Sequence, residues 1–161
     1  MAIPAYMWIK DDQGSEIGGS VSIADREGSI EVLHFDHELR IPTDGDTGAL
    51  TGTRKHEPFV FTKGFDSASP YLYKACSNGQ TLKELVLRWY RIDDTGTEKE
   101  YFRHTLKDVK ITSVKPVMHN VKDIDKESYP HLEEVSARYA SITWTFVDGN
   151  IEFSDSWTEG R

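Results

Sequence analysis

Residues 81–114, TLKELVLRWYRIDDTGTEKEYFRHTLKDVKITSV, predict a long antiparallel β-hairpin. Apolar and polar side chains alternate through Thr81–Ile92, the period-two pattern of a half-buried strand. Asp93–Gly96 has the residues of a tight turn, and Glu98–Val114 follows it as the returning strand. The side chains expected on one face of the first strand are Leu85, Leu87 and Trp89. A pairing of this length indicates a protein built mainly from β-structure.

The same alternation recurs on both sides of this hairpin. The further strands that we predict are Ala5–Lys10, Ser29–Ile41, Phe59–Phe61, Glu134–Val147 and Ile151–Trp157. Asp148-Gly149 supplies a hairpin turn between the last two of them. About seven strands in a chain of this size favour a closed or nearly closed antiparallel β-barrel or a sandwich, and we predict one barrel domain over residues 1–161.

The strand Ser29–Ile41 carries an irregularity that affects which side chains point inward. Ile30 and Val32 share one parity, whereas the apolar residues after them share the other, so the pattern switches at Val32–Leu33. Such a switch predicts a β-bulge or a stretch buried on both faces. Beyond it, the alternation assigns Leu33 and Phe35 to the barrel core and His34 and Asp36 to the polar face.

One segment, at about residues 69–78, predicts a short α-helix. Ser69 is a suitable N-cap, Pro70 suits the first turn and Gly79 suits the exit. The apolar residues at helical spacing are Leu72, Ala75 and Cys76. They form a narrow apolar face, so the helix needs support from the barrel.

Two polar segments predict loops. Thr43–Thr53, TDGDTGALTGT, is rich in glycine and in turn-forming residues. Val114–Pro130 is longer, polar and irregular. Long loops in compact domains usually carry a function, so both segments are candidate contact regions.

The composition excludes several classes of protein. The 161 residues carry a net charge of −8, which argues against nucleic acid or an anionic membrane surface as a partner, because both require clustered Lys and Arg. Cys76 is the single cysteine, so no internal disulfide can form and a reducing compartment is favoured. No apolar run approaches the length of a membrane span, and the N-terminal residues lack the basic start of a signal peptide. We therefore expect cytoplasmic synthesis without a signal peptide, no membrane insertion and, if the protein is exported, another route out of the cell.

The histidines do not form a metal-binding pattern. His34 and His37 lie three residues apart in a predicted strand, so their side chains point to opposite faces and cannot share an ion. The other histidines lie in separate segments. We expect no metal site and no cofactor.

Asp46 and Asp94 each open an Asp-Thr-Gly triplet, the signature of aspartic proteases, in which two carboxylates share one proton. Gly45 and Asp93 precede them, where a protease needs an apolar strand residue. Turn formation explains both triplets better than catalysis does. We therefore expect no catalytic residues and no enzyme.

Several segments together resemble the Hcp family of type VI secretion tube proteins. The segments that carry the resemblance are Ala5–Lys10, Ser29–His37, His56–Pro58, Phe61–Lys63 with Asp66, Ser69–Leu72 with Ala75, Tyr101–Val109 and Ser113–Val114. No single motif is specific, but their order and spacing extend over nearly the whole chain.

The resemblance implies a β-barrel with one helix that forms homo-hexameric rings. Stacked rings would build a tube, which a contractile sheath ejects with its spike proteins, carrying effector proteins in the bore out to the extracellular space or a target cell. It also implies that the loop Thr43–Thr53 contacts the neighbouring ring, and that the polar face of the second strand lines the bore. The loop residues so assigned are Asp44, Gly45, Asp46, Thr47 and Gly48, and the bore residues are His34 and Asp36.

Two other functions stay open at this point. A monomeric barrel could bind a small ligand in its interior. An acid hydrolase could use Asp46 or Asp94.

Overall fold

The computed structural model describes residues 2–157. Met1 and residues 158–161, which the predicted domain includes, lie outside the described residues. The strands are β1 (Ala5–Lys10), β2 (Glu16–Ile17), β3 (Ile30–Asp36), β4 (Leu39–Arg40), β5 (Lys55–His56), β6 (Phe59–Gly64), β7 (Thr81–Ile92), β8 (Glu98–Val117), β9 (Leu132–Arg138), β10 (Ser141–Phe146) and β11 (Ile151–Ser156). Between β6 and β7 lies the helix α1 (Ser69–Asn78), and a single 3₁₀ turn covers Ile124–Lys126.

Six strands close into an antiparallel barrel, which confirms the predicted fold class. Their order around the wall is β1, β3, β6, β9, β8 and β7, and β7 pairs back onto β1. The long strand β8 makes this closure possible, because it pairs with β7 along one edge and with both β9 and β10 along the other. Strands β10 and β11 then continue the sheet beyond the barrel.

The predicted hairpin over residues 81–114 is confirmed, but the predicted strand Glu134–Val147 is wrong in one respect. The chain leaves the ladder at Tyr139–Ala140 and divides into β9 and β10. Opposite this break, Asp108 adopts a left-handed conformation with φ of 52°, which interrupts the regular pairing of β8. Periodicity continues across such a break, so the sequence pattern does not reveal it.

The predicted strand Ser29–Ile41 is also divided, into β3 and β4. The expected bulge is present, because Val32 pairs with Lys63 whereas His34 pairs with Thr62. Leu33 is the extra residue of this bulge and is 46% exposed, so its assignment to the core is wrong. Phe35 does pack against the core, as predicted.

The helix has the predicted bounds. Gly79 ends it in the left-handed conformation, with φ of 62°. Ala68, not Ser69, occupies the N-cap position, because the Ser69 hydroxyl is already engaged in a buried polar network described below. Leu72 and Ala75 are fully buried and join α1 to the core.

The interior of the barrel is filled by apolar side chains. The largest of those in the strands, each at most 1% exposed, are Met7, Ile9, Ile30, Phe59, Phe61, Leu82, Leu85, Leu87, Leu106 and Ile142. These residues come from five wall strands and from β10, so the core ties both ends of the chain together. Protein interiors are close-packed, and an interior filled in this way holds the shape of the wall.

Candidate functional site: assembly surfaces

The polar side of β3 lies on the outside of the barrel wall. His34 and Asp36 are both exposed, whereas Phe35 between them packs edge-on against Phe59, with 4.8 Å between ring centroids. The alternation therefore separates a core-facing aromatic from two water-facing polar groups. Their predicted role in lining a bore stays a prediction, because the barrel wall alone does not define which side faces a bore.

The predicted loop Thr43–Thr53 is an exposed, internally hydrogen-bonded extension. It projects from the two-stranded ribbon formed by β4 and β5, in which Leu39 pairs with His56. The Asp44 carboxylate accepts hydrogen bonds from the amides of Asp46 (2.8 Å) and Thr47 (2.9 Å). These bonds lower the pKa of Asp44, because they stabilise its charged form. The loop is thus preshaped, although its side chains are exposed.

A hydrogen-bonded chain anchors the base of this ribbon to the barrel. His37, just before β4, lies 2.9 Å from the Tyr139 hydroxyl through Nε2, and His56 on β5 lies 2.6 Å from the same hydroxyl through Nδ1. The opposite ring nitrogen of His56 lies 2.9 Å from Asp155 Oδ2. Arg54 donates two hydrogen bonds to Asp155, and these lower the pKa of that carboxyl to about 2. We call this set the anchor chain.

A second buried polar network joins the helix entry to the wall. Lys63 on β6 and Glu133 on β9 are direct cross-strand partners, neither has exposed side-chain surface, and they form an ion pair. Lys63 Nζ also donates to Asp66 Oδ1 (2.9 Å) and to Ser69 Oγ (3.0 Å). The Ser69 hydroxyl donates to Glu133 Oε1 (2.6 Å). We call this set the buried ion network.

Sequence reasoning missed both sets, although one of them leaves a signal. Lys63 continues the inward parity of Phe59 and Phe61, and Glu133 has the inward parity of Val135. Opposite charges on the inward faces of two strands predict a buried pair. The anchor chain leaves no such signal, because its members come from four distant segments.

The Asp-Thr-Gly triplets lie in turns, as predicted. Asp46 and Asp94 are both exposed, which is unlike the shielded, shared-proton geometry of an aspartic protease. In the second turn the preceding residue, Asp93, accepts the hydrogen bonds from Thr95 and Thr97. Within residues 2–157, no three His, Cys, Asp or Glu side chains are grouped as a metal site.

Apolar side chains are exposed around one end of the barrel. A surface cavity of about 330 Å³ lies between β3 and the end of β6, and its lining includes Ile23, Leu33 and Phe65. Each of these three side chains is about half exposed. The segment 118–131 adds Met118, Val121, Ile124 and Tyr129. Clustered apolar surface on a protein with a filled core indicates contact with other protein.

None of the helices described in residues 2–157 has the length and hydropathy required to span a bilayer.

The class of protein follows from these features together. The barrel interior is packed, the apolar patches lie outside it, and a preshaped loop projects from the wall. These features define a β-barrel protein whose candidate functional surfaces lie on the outside of the wall rather than in its interior.

Comparison with known proteins defines the family. The family model for the type VI secretion system effector Hcp matches residues 6–146. The major exported protein of Pseudomonas aeruginosa is 37% identical over 166 positions, with 98% of this chain and 96% of that protein covered. The structure of Hcp1 from Escherichia coli EAEC 042 is 56% identical, with a TM-score of 0.88 and coverage of 97% and 99%. Secreted protein Hcp3 of P. aeruginosa is 32% identical, with a TM-score of 0.80 and coverage of 98% and 100%. The chain belongs to the Hcp family of the type VI secretion system.

Proposed function

We propose that this protein is a structural subunit of the type VI secretion tube. Six copies form a ring, rings stack into a tube, and the contractile sheath ejects the tube with its spike proteins. The observation that carries the proposal is the similarity to an Hcp1 structure over 97% of the chain at 56% identity. A protein of this kind acts by assembly and transport, without catalysis.

The mass of the assembly tests this proposal. Six chains of 18.3 kDa should give a species of about 110 kDa by native mass spectrometry in moderate salt. Six copies at −8 each carry −48, so stacking of rings should weaken at low salt, where like charges are less screened. A monomer at high micromolar concentration would contradict the proposal and favour the isolated barrel. The packed interior already disfavours a ligand inside that barrel.

The loop Thr43–Thr53 is proposed to mediate stacking. Replacing Asp44–Gly48 with a Gly-Ser linker removes the Asp44 hydrogen bonds that shape the loop, while the barrel wall stays untouched. We expect hexamers of unchanged mass and a reduction of about tenfold in tube length or number in electron micrographs. The same linker at Asp94-Thr95, an exposed turn on another hairpin, serves as the control. Tubes that form as in the wild type would remove the loop from the proposed contact.

Effector proteins are proposed as cargo in the bore. The exposed polar face of β3 is better suited to line an aqueous channel than to pack into a buried interface, because an unpaired buried carboxylate is costly. The relative from P. aeruginosa is named as an exported protein. By analogy, this protein is made in the bacterial cytoplasm and reaches the extracellular space or a target cell as part of the ejected tube.

A further inference from the structure

The anchor chain contains three hydrogen bonds whose directions can be derived from its atoms. Asp155 stays ionised because the hydrogen bonds from Arg54 lower its pKa, so it can only accept, and His56 must donate to it from Nε2. When His56 is neutral, its Nδ1 therefore carries no proton and accepts from the Tyr139 hydroxyl. The Tyr139 oxygen in turn accepts from Nε2 of His37. The neutral chain thus runs in one direction, from His37 to Asp155.

One added proton leaves all three hydrogen bonds in place. A proton on His37 enters at Nδ1 and changes nothing in the chain. A proton on His56 makes Nδ1 a donor to Tyr139, whose hydroxyl then turns to donate to Nε2 of His37, which can present a bare nitrogen in its other tautomer. The two hydrogen bonds at the Tyr139 hydroxyl reverse direction, the bond from His56 to Asp155 keeps its direction, and none is lost.

A second proton cannot be accommodated. Both imidazoles then present N–H groups to the Tyr139 oxygen, and the hydroxyl proton has no acceptor left in the chain. Two cations would also flank one hydroxyl, with one imidazole on each side. An unsatisfied buried hydroxyl and two like charges both oppose this state.

We propose that the anchor chain is a two-proton switch, which holds the β4 side of the β4–β5 ribbon against the barrel until both His37 and His56 are charged and then releases that side. The elements that it joins support this role. His37 lies just before β4 and His56 is the last residue of β5, whereas Tyr139 lies at the β9–β10 break and Asp155 on β11. Loss of the central hydroxyl bonds therefore frees the β4 side of the ribbon, whereas Arg54, bonded to Asp155, and Arg138, bonded to the His56 carbonyl, still hold its β5 side.

The surroundings of the two imidazoles act in both senses, because burial opposes charge on His37 whereas Asp155 is an ion-pair partner for charged His56. The other titratable or charged groups that the structure places against them are Asp36, Arg54, Glu57, His104 and Arg138. Burial lowers the pKa of His37, the nearby His56 lowers it further, and Asp36 and Glu57 act in the opposite sense. Burial also lowers the pKa of His104 to about 4, so that ring stays neutral while the switch operates.

The direction of the pH dependence follows from the lowered pKa of His37. Its neutral form is favoured in the folded state, so its contribution to holding the ribbon is fully present above the ordinary value of 6.5. The state with both imidazoles charged therefore becomes accessible only as pH falls below that value, since a proton on His37 alone leaves the three hydrogen bonds in place. Release is thus favoured by a fall in pH and opposed by a rise.

Amide hydrogen exchange on the full-length protein tests the switch. The reporters are ribbon and loop amides with defined acceptors, namely Glu57 N to Glu38 O, Thr51 N to Pro42 O and Asp44 N to Ala49 O. After correction for the intrinsic exchange rate, we expect their protection to fall about tenfold or more between about pH 7.5 and pH 5, while amides of β7 keep theirs. In NMR titrations, the ribbon shifts should follow the second of the two imidazole protonation steps. Unchanged protection, or shifts that follow the first step, would overturn the proposal.

Variants separate the switch from general acid sensitivity. His37→Gln keeps a side chain that can donate to Tyr139 but cannot take a proton, so the acid-induced loss of protection should disappear. His131→Gln removes an exposed histidine at the opposite end of β9 and should behave as the wild type. Equal acid responses in His37→Gln and wild type would also overturn the proposal. The exchange and NMR measurements on the wild type decide the question even if a variant folds poorly. The effect of release on ring stacking rests on the proposed function, whereas these measurements do not.

Discussion

Replacing Lys63 with methionine should lower the free energy of unfolding by about 3–5 kcal/mol. Methionine matches the length of the lysine chain, so the loss comes from charge rather than from a cavity. Without the ammonium group, Glu133 remains in a site with no exposed surface, and Asp66 loses one of its hydrogen-bond donors and keeps the Ala68 amide. Glu133 Oε2 already has no hydrogen-bond partner among the described residues, so few groups are left to stabilise the carboxylate.

Urea unfolding at one fixed chain concentration measures this effect, because assembly would otherwise shift the apparent stability. For a chain of this size the loss corresponds to a fall in melting temperature of about 2–4 °C per kcal/mol. Lys107→Met is the matched control, since Lys107 pairs with Glu84 on the surface and should change stability by less than about 1 kcal/mol. The double variant Lys63→Met/Glu133→Leu should regain most of the loss, because it removes both buried charges. Equal destabilisation by the buried and the surface variant would contradict this explanation.

Replacing Asp36 with arginine should change cargo retention by about tenfold or more, if β3 lines the bore of the proposed ring. The substitution changes the charge by +2 in each chain, and six copies concentrate a change of +12 in one channel. Asp36 is exposed, so the barrel and the ring mass should stay as in the wild type.

The measurement is the amount of effector that co-purifies with assembled rings on size exclusion. Asp148→Arg carries the same charge change at an exposed hairpin turn and is the control. Asp36→Asn should give a smaller change of the same sign. If Asp36→Arg and Asp148→Arg retain cargo equally, the bore assignment of Asp36 is wrong.

Local periodicity explains how much of this fold could be predicted. The hairpin of β7 and β8, the helix at Ser69–Asn78 and the loop Thr43–Thr53 each depend on residues close in sequence, and each is confirmed as a structural element. The bulge of β3 was predicted as well, but its extra residue was not. A parity switch shows that one residue is inserted, whereas packing decides that Leu33 is the one turned out to solvent.

The polar networks could not be predicted in the same way, because their members meet only after the barrel closes. His37 and Tyr139 are 102 positions apart, and Arg54 and Asp155 are 101 apart. Pairings of this range depend on strand order and register, which no local pattern encodes. Ser69 illustrates the competition, since a good capping residue was recruited by Lys63 and Glu133 instead.

The strand order of the barrel also determines how the chain must reach its native state. β1 contains residues close to the N-terminus, yet its two neighbours in the wall are β3 and β7. The wall closes when β9 pairs with both β6 and β8, so the barrel cannot be complete until residue 138 has been synthesised. Forming contacts between such distant segments costs loop-closure entropy before the contacts add stability. We therefore expect this chain to fold slowly, on a timescale of milliseconds to seconds. During that interval the edges of β6 and β8 are open to other chains, so the partly folded chain can aggregate through them when it is produced at high concentration.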